Sequence, residues 1–228
     1  MTIRKFSKND YEIVEFHNNI NERIQVYPMY FKLGFSSIAQ VFGRAIVLKS
    51  LLQALKFLPQ DYGFLIWDVY RPRSVQKTLF NWVREEIRLK LPALSEEENY
   101  EETKKYISPP SRVGEDYCPP HLSGGAIDLT LFEMTTNKEL DMGTPFDESS
   151  ERAHSNYFNL KTRLSAQEKH FKYRRNLLHT TMNHAGFTSY QYEWWHFDIG
   201  NLFWSRAVKQ PAVFGPLFGD KEWPDDHE

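Results

Sequence analysis

Apolar residues recur along the chain at two spacings, and the spacing assigns the elements. Over residues 40–57, Val41, Ala45, Val47, Leu48, Leu51, Leu52 and Leu55 return at three- and four-residue steps, which predicts an amphipathic helix. Pro59 and Gly63 end it. Residues 64–70, Phe-Leu-Ile-Trp-Asp-Val-Tyr, form a short aromatic and β-branched run between Gly63 and Pro72, read as a buried strand. Helical spacing resumes over 74–91 through Val75, Leu79, Trp82, Val83, Ile87 and Leu91, with Ser74 as the expected N-cap. Residues 126–132 alternate and predict a second strand. A third helix is expected over 165–185. Ser165 and Glu168 form a capping-box pattern and Gly186 sits where a C-cap belongs. A last strand is expected over 192–199.

The remainder is irregular. Residues 1–39 mix aromatic and polar side chains without a period and read as loops with a short strand at most. Residues 94–120 form a long polar excursion, acidic at first and then rich in proline and serine, with a short solvated helix around Glu96 to Glu102. Long loops of this kind are often functional. The tail 221–228 is charged and expected to fray. The chain has no internal repeat, and its length suits a single domain spanning 1–228.

Composition narrows the function classes. A net charge of −2 offers none of the basic excess that drives phosphate binding, so nucleic acid is not an expected partner. The basic cluster Lys172, Arg174 and Arg175 reads as a solvated helix face. No run approaches the roughly 20 apolar residues that span a bilayer, and the first ten residues lack the apolar core of a signal peptide. The single cysteine, Cys118, excludes an internal disulfide. The expectation is a cytoplasmic protein without a membrane partner, of open oligomeric state.

Two stretches carry candidate chemistry. In His121-Leu-Ser-Gly-Gly-Ala-Ile-Asp128, a histidine in a glycine-bearing loop precedes an aspartate entering a strand. An aspartate among Ala126, Ile127, Leu129 and Leu131 is costly to bury unpaired, and a cation would resolve the cost. In Glu193-Trp-Trp-His196, strict alternation sets Glu193 and His196 on opposite faces, and a bulge or turn would bring them together. His121, Asp128 and His196 would give a catalytic zinc three ligands and an open fourth place, with Glu193 taking a proton from water. Arg71, after the first strand, would face an oxyanion. Cys118, three residues before His121, is an alternative ligand, although a thiolate would crowd a site that needs an open position. Each residue also has a structural reading. The histidines and Asp128 would then be satisfied packing or turn residues, Arg71 a surface partner of Asp68 or Glu85, and Trp194-Trp195 core packing.

The combination resembles the zinc peptidases that act on D-alanyl peptides, most nearly the D-alanyl-D-alanine dipeptidases of the vancomycin-resistance type. Residues 65–72, 121–131, 142–147 and 193–196 carry the resemblance, which spans roughly 40–200. It implies an α+β fold, a small central, mainly antiparallel sheet with flanking helices, as in the hedgehog/DD-peptidase-like zinc peptidases. It also implies one zinc ion per chain on His121, Asp128 and His196, with Glu193 as general base and Arg71 on the scissile carbonyl. Asp147, with Glu193, would hold a substrate ammonium group, and Tyr27 would lie near the same pocket. The implied substrate is a small dipeptide with a free amino end, D-Ala-D-Ala or a relative. One departure is Pro119-Pro120, where the family usually carries serine before the first histidine. Proline offers neither hydroxyl nor N–H, so polar contacts on one side of the substrate are missing. Alternatives are a carboxypeptidase or other cell-wall peptidase acting on longer peptides, and a zinc-binding recognition module without catalysis.

Overall fold

The structure, a computed structural model, describes residues 4–224. Its elements in chain order are β1 (Ile13–Phe16), β2 (Ile24–Val26), α1 (Met29–Lys32), β3 (Val41–Arg44), α2 (Ala45–Ala54), β4 (Tyr62–Asp68), α3 (Arg73–Lys90) and α4 (Glu96–Thr103). They continue with β5 (Ala126–Glu133), β6 (Lys138–Glu139), α5 (Tyr157–Leu160), α6 (Ala166–His184), β7 (Thr188–Ser189), β8 (His196–Asp198) and α7 (Leu202–Val208). The main sheet runs β2-β4-β5-β8-β7, with β6 beside β5. Among the described residues only the β2–β4 pair is parallel. The architecture is the α+β arrangement expected, and β1 and β3 form a separate antiparallel pair.

Alternation along the central strands divides the sheet into two faces. Phe64 and Ile66 of β4 pair with Leu131 and Leu129 of β5, and Ile127 pairs with Phe197 of β8. These residues join Val47 and Leu51 of α2 and Leu178 and Met182 of α6 in the principal core. Each such aliphatic side chain removed from water contributes about 1.5–3 kcal/mol. The opposite face carries Asp128 and, paired with it across the two neighbouring strands, Asp68 and His196. Asp68 reaches this face because β4 holds one extra residue. Ile66 opposes Leu129 and Asp68 opposes Asp128, so Trp67 is a bulge that resets the alternation.

Several sequence expectations change here. The helix expected over 40–57 begins only at Ala45; Val41–Arg44 is a strand paired in register with Ile13–Phe16. Its pairing partner is remote in sequence, so local spacing does not reveal it. The strand expected over 192–199 is reduced to His196–Asp198, with a turn before it. The N-terminal segment contains two strands, a 3₁₀ turn (Lys8–Tyr11) and the helical turn α1. Ser74 is not the N-cap: α3 starts at Arg73, and the Ser74 N–H and hydroxyl both donate to the Glu222 carboxylate, at 3.0 and 2.9 Å. That places an anion on the helix N-terminus. The same tail segment packs Trp223 against Tyr70, at 5.7 Å between rings. Residues 225–228 of the expected tail lie outside the described residues. The capping box of α6 forms as expected: Glu168 N donates to Ser165 Oγ (3.2 Å) and Ser165 N to Glu168 Oε2 (3.0 Å). The short helix in the long loop is α4.

Candidate active site

Three segments bring their side chains to the polar face of the sheet. The first is the turn Pro120 to Gly125. His121–Ser123 form a single 3₁₀ turn that Gly124 ends in the left-handed region at φ 67°. Gly125 then runs so close to the chain after β8 that a Cβ would stand 2.6 Å from the Ile199 carbonyl. The second is β5, which presents Asp128, and the third is β8, which presents His196.

The donors converge. His121 Nε2 lies 3.1 Å from His196 Nδ1 and 3.2 Å from Asp128 Oδ2, and His196 Nδ1 lies 3.0 Å from Asp128 Oδ1. The outward ring nitrogens fix the tautomers. His121 Nδ1–H donates to the Val69 carbonyl (2.8 Å) and His196 Nε2–H to Asp198 Oδ1 (3.0 Å). Two imidazole lone pairs and a carboxylate therefore point at one place, which is repulsive unless positive charge stands between them. Donors set tetrahedrally around a cation at bonds of about 2.0 Å are about 3.3 Å apart. The observed spacings fit that geometry, and all three residues are buried. Charges report the same demand. Burial opposes ionisation of Asp128, yet the adjoining imidazoles, His121 first and then His196, hold it well below the usual carboxylate range. Burial likewise opposes charge on His196, yet Asp198 and Asp128 raise it well above the ordinary imidazole value.

Arg71 lies beside this centre. Its Nη2 is 3.2 Å from Asp128 Oδ2, its Nε 2.8 Å from Asp68 Oδ2 and its Nη1 3.1 Å from Gln76 Oε1. The guanidinium lies 4.4 Å over the Tyr30 ring. Four contacts thus fix its plane. The pairing with Asp68 is buried, not a surface contact. Facing carboxylates at Asp68 and Asp128 repel, and Arg71 between them offsets that cost.

Glu193 sits in the turn before β8, its Oε2 3.8 Å from His196 Nδ1. The turn, not an alternating strand, brings them together. It is bolted in place from three sides: Ser155 Oγ donates to the carbonyls of Tyr190 (2.5 Å) and Glu193 (3.1 Å), Trp194 Nε1 donates to Thr144 Oγ1 (2.7 Å), and His179 Nε2–H donates to the Trp194 carbonyl (2.9 Å). The Glu193 side chain keeps 36% exposure. Its crowded setting and the nearby Asp128 charge push its carboxyl up, against the pull of His196. Trp194 and Trp195 are core residues, as the structural reading had them.

Asp147 stands at the cleft rim in the left-handed region, φ 59°. Its Oδ2 accepts from the Tyr30 hydroxyl at 2.9 Å. Desolvation on its protein side pushes its carboxyl up to about 7, opposed by Arg71 and reinforced by Asp128 and Glu193. Tyr27 is not brought into this cluster. It is 44% exposed, with Lys32 5.5 Å over its ring. Tyr27 follows β2 on the side of Gln25, whereas the helical turn α1 swings Tyr30 inward. Cys118 is also outside the donor set. Its thiol, 3.7 Å from the Pro119 carbonyl, is pushed up to about 11 by burial.

Sequence reasoning missed Tyr30 as a site residue, and it missed the orienting role of Asp198. The second had a signal, since residues two apart on a strand share a face.

The D-ala-D-ala dipeptidase family model matches residues 40–212. The chain is similar to a protein named D-alanyl-D-alanine dipeptidase in Synechocystis sp., with 32% identity over 181 residues, 73% of this chain and 72% of that one. It is also similar to one of the same name in Enterococcus faecium, with 30% identity over 168 residues, 71% of this chain and 75% of that one.

Proposed function

Because the chain belongs to the D-Ala-D-Ala dipeptidase family, and so is a peptidase, we propose that it hydrolyses dipeptides with a free amino terminus, D-Ala-D-Ala or a close relative. One zinc ion would be held by His121, Asp128 and His196. A zinc ion there supplies Lewis acidity, polarising a carbonyl and acidifying water. The observation that carries the reading is the convergence of three lone-pair donors with the Glu193 carboxylate 3.8 Å from the same His196 nitrogen.

Glu193 takes the proton from the attacking water and returns it to the leaving amine nitrogen. Its raised carboxyl suits a group that must both accept and release a proton. Arg71, already plane-fixed, faces the oxygen on which negative charge develops. Asp147, anchored by the Tyr30 hydroxyl, receives the substrate ammonium at the other end of the cleft. Pro119 and Pro120 present no hydroxyl to the substrate, so discrimination rests on the ammonium end. A cytoplasmic site of action belongs to the same proposal and rests on the single cysteine. Among the described residues no helix is long and apolar enough to cross a membrane.

The test compares D-Ala-D-Ala with its N-acetylated form on zinc-loaded protein, beside Glu193→Gln. The free dipeptide is expected to be cleaved and the blocked one spared. The variant is expected to keep its zinc and lose about 10²–10⁴-fold in kcat. Comparable cleavage of the blocked peptide would transfer the activity to peptidases of longer chains. Full turnover by Glu193→Gln would remove Glu193 as the base.

A further inference from the structure

We propose that Asn201 is a positioning residue for the metal centre, its side-chain amide holding Asp198, and through it His196, in ligating orientation. The proposal rests on the reading of His121, Asp128 and His196 as metal ligands.

Asn201 is fully buried and uses its whole hydrogen-bonding capacity. Its Oδ1 accepts from the N–H groups of Phe203 and Trp204, each at 3.0 Å, which caps α7. Its Nδ2 donates to Asp198 Oδ1 at 2.6 Å and to the Gly125 carbonyl at 3.0 Å. Asp198 Oδ1 is the oxygen that also accepts from His196 Nε2, at 3.0 Å. One carboxylate oxygen is thus gripped from two sides, by the metal-ligating imidazole and by the amide. The second amide proton reaches the strand entry just beyond the His121 turn.

Capping alone does not explain asparagine here. Serine, threonine and aspartate cap a helix comparably. What they lack is the pair of donors, and both donors aim at segments that deliver ligands. Aspartate at this place would keep the cap and set a second carboxylate against Asp198. Groups behind a metal-ligating histidine fix its tautomer and ring plane, and losing one weakens metal affinity by about 10–100-fold.

The experiment measures zinc affinity by competition with a chromophoric chelator, and the melting temperature of the metal-free protein, for wild type, Asn201→Ser, Asp198→Ala and the double variant. Asn201→Ser keeps the cap and loses the donors. Its zinc dissociation constant is expected to rise about 10-fold, with a small change in metal-free melting temperature. In the Asp198→Ala background the same substitution is expected to change the constant less than twofold, because its route to His196 is already cut. An unchanged constant in Asn201→Ser overturns the proposal, as does an equal rise in both backgrounds, which marks a merely structural residue. If Asn201→Ser does not fold, Asn201→Asp serves: weaker zinc binding in a folded protein is expected, and wild-type affinity overturns the proposal. Absence of zinc binding by the wild type would instead defeat the ligand assignment itself.

Discussion

Along β5, Ile127, Leu129 and Leu131 face α2 and α6, while Asp128 between them faces Asp68, Arg71, His121 and His196. The first face is satisfied by shape. Its residues pack into the apolar core and stabilise the fold by leaving water. The second face is satisfied by charge balance. It buries Asp68, Asp128 and Asp198 around one guanidinium and two imidazoles, an arrangement that costs stability unless a cation joins it. Stability and chemistry are therefore segregated by single-residue alternation in one strand. Substitutions on the two faces should fail in different ways.

The sharpest contrast is Asp128→Ala against Leu129→Ala. Asp128→Ala is expected to abolish zinc retention and turnover while costing the metal-free protein less stability than its neighbour. Leu129→Ala is expected to cost about 2–5 kcal/mol in denaturant unfolding and to leave zinc stoichiometry per folded chain intact. If Asp128→Ala proved the more destabilising, or Leu129→Ala stripped the metal from folded protein, the division between faces would not hold.

A second handle is His179, the titratable group behind the apolar face, 5.3 Å from the Phe197 ring. Burial lowers its pKa to about 4, outweighing the Trp194 carbonyl that favours its charge. The folded state thus resists a proton that the unfolded chain accepts near the ordinary imidazole value of about 6.5. Stability tied to this group is full above about pH 6.5 and is lost as pH falls through about 4, by up to about 3 kcal/mol. Unfolding free energies across that range should show the decline, and His179→Gln should flatten it; an equal slope in the variant would assign the decline to other groups.

On the polar face, Arg71→Lys keeps charge but loses the fork that meets Asp68, Asp128 and Gln76 together. A fall in kcat of about 10²-fold with zinc retained is expected, read by steady-state kinetics and metal analysis. The smallest effect separates two tyrosines. Tyr30→Phe frees Asp147 and should raise KM about 10-fold; Tyr27→Phe should change nothing. Equal effects would return Tyr27 to the cleft.

Much of this segregation is legible in the chain itself. β5 alternates visibly, so Asp128 stands out as a buried acid among apolar neighbours, and α6 announces both ends through Ser165, Glu168 and Gly186. β3 is hidden because Val41 and Phe42 suit a helix as well as a strand, and the pairing with β1 that decides between them is remote in sequence. Tyr27 and Tyr30 are equally good on paper; only the turn of α1 chooses. The Glu193 turn is likewise set by Ser155, Thr144 and His179, whose bonds to it span 15 to 50 positions in sequence and leave no trace in Glu-Trp-Trp-His.

The bulge at Trp67 gives the sheet a reading frame. Up to Ile66 the strand counts in step with β5; from Asp68 onward it counts one out of step. A strand that ran on past Ile66 without the bulge would set Trp67 opposite Asp128 and turn Asp68 toward the helices, away from Arg71, although no residue of the reaction itself had been changed.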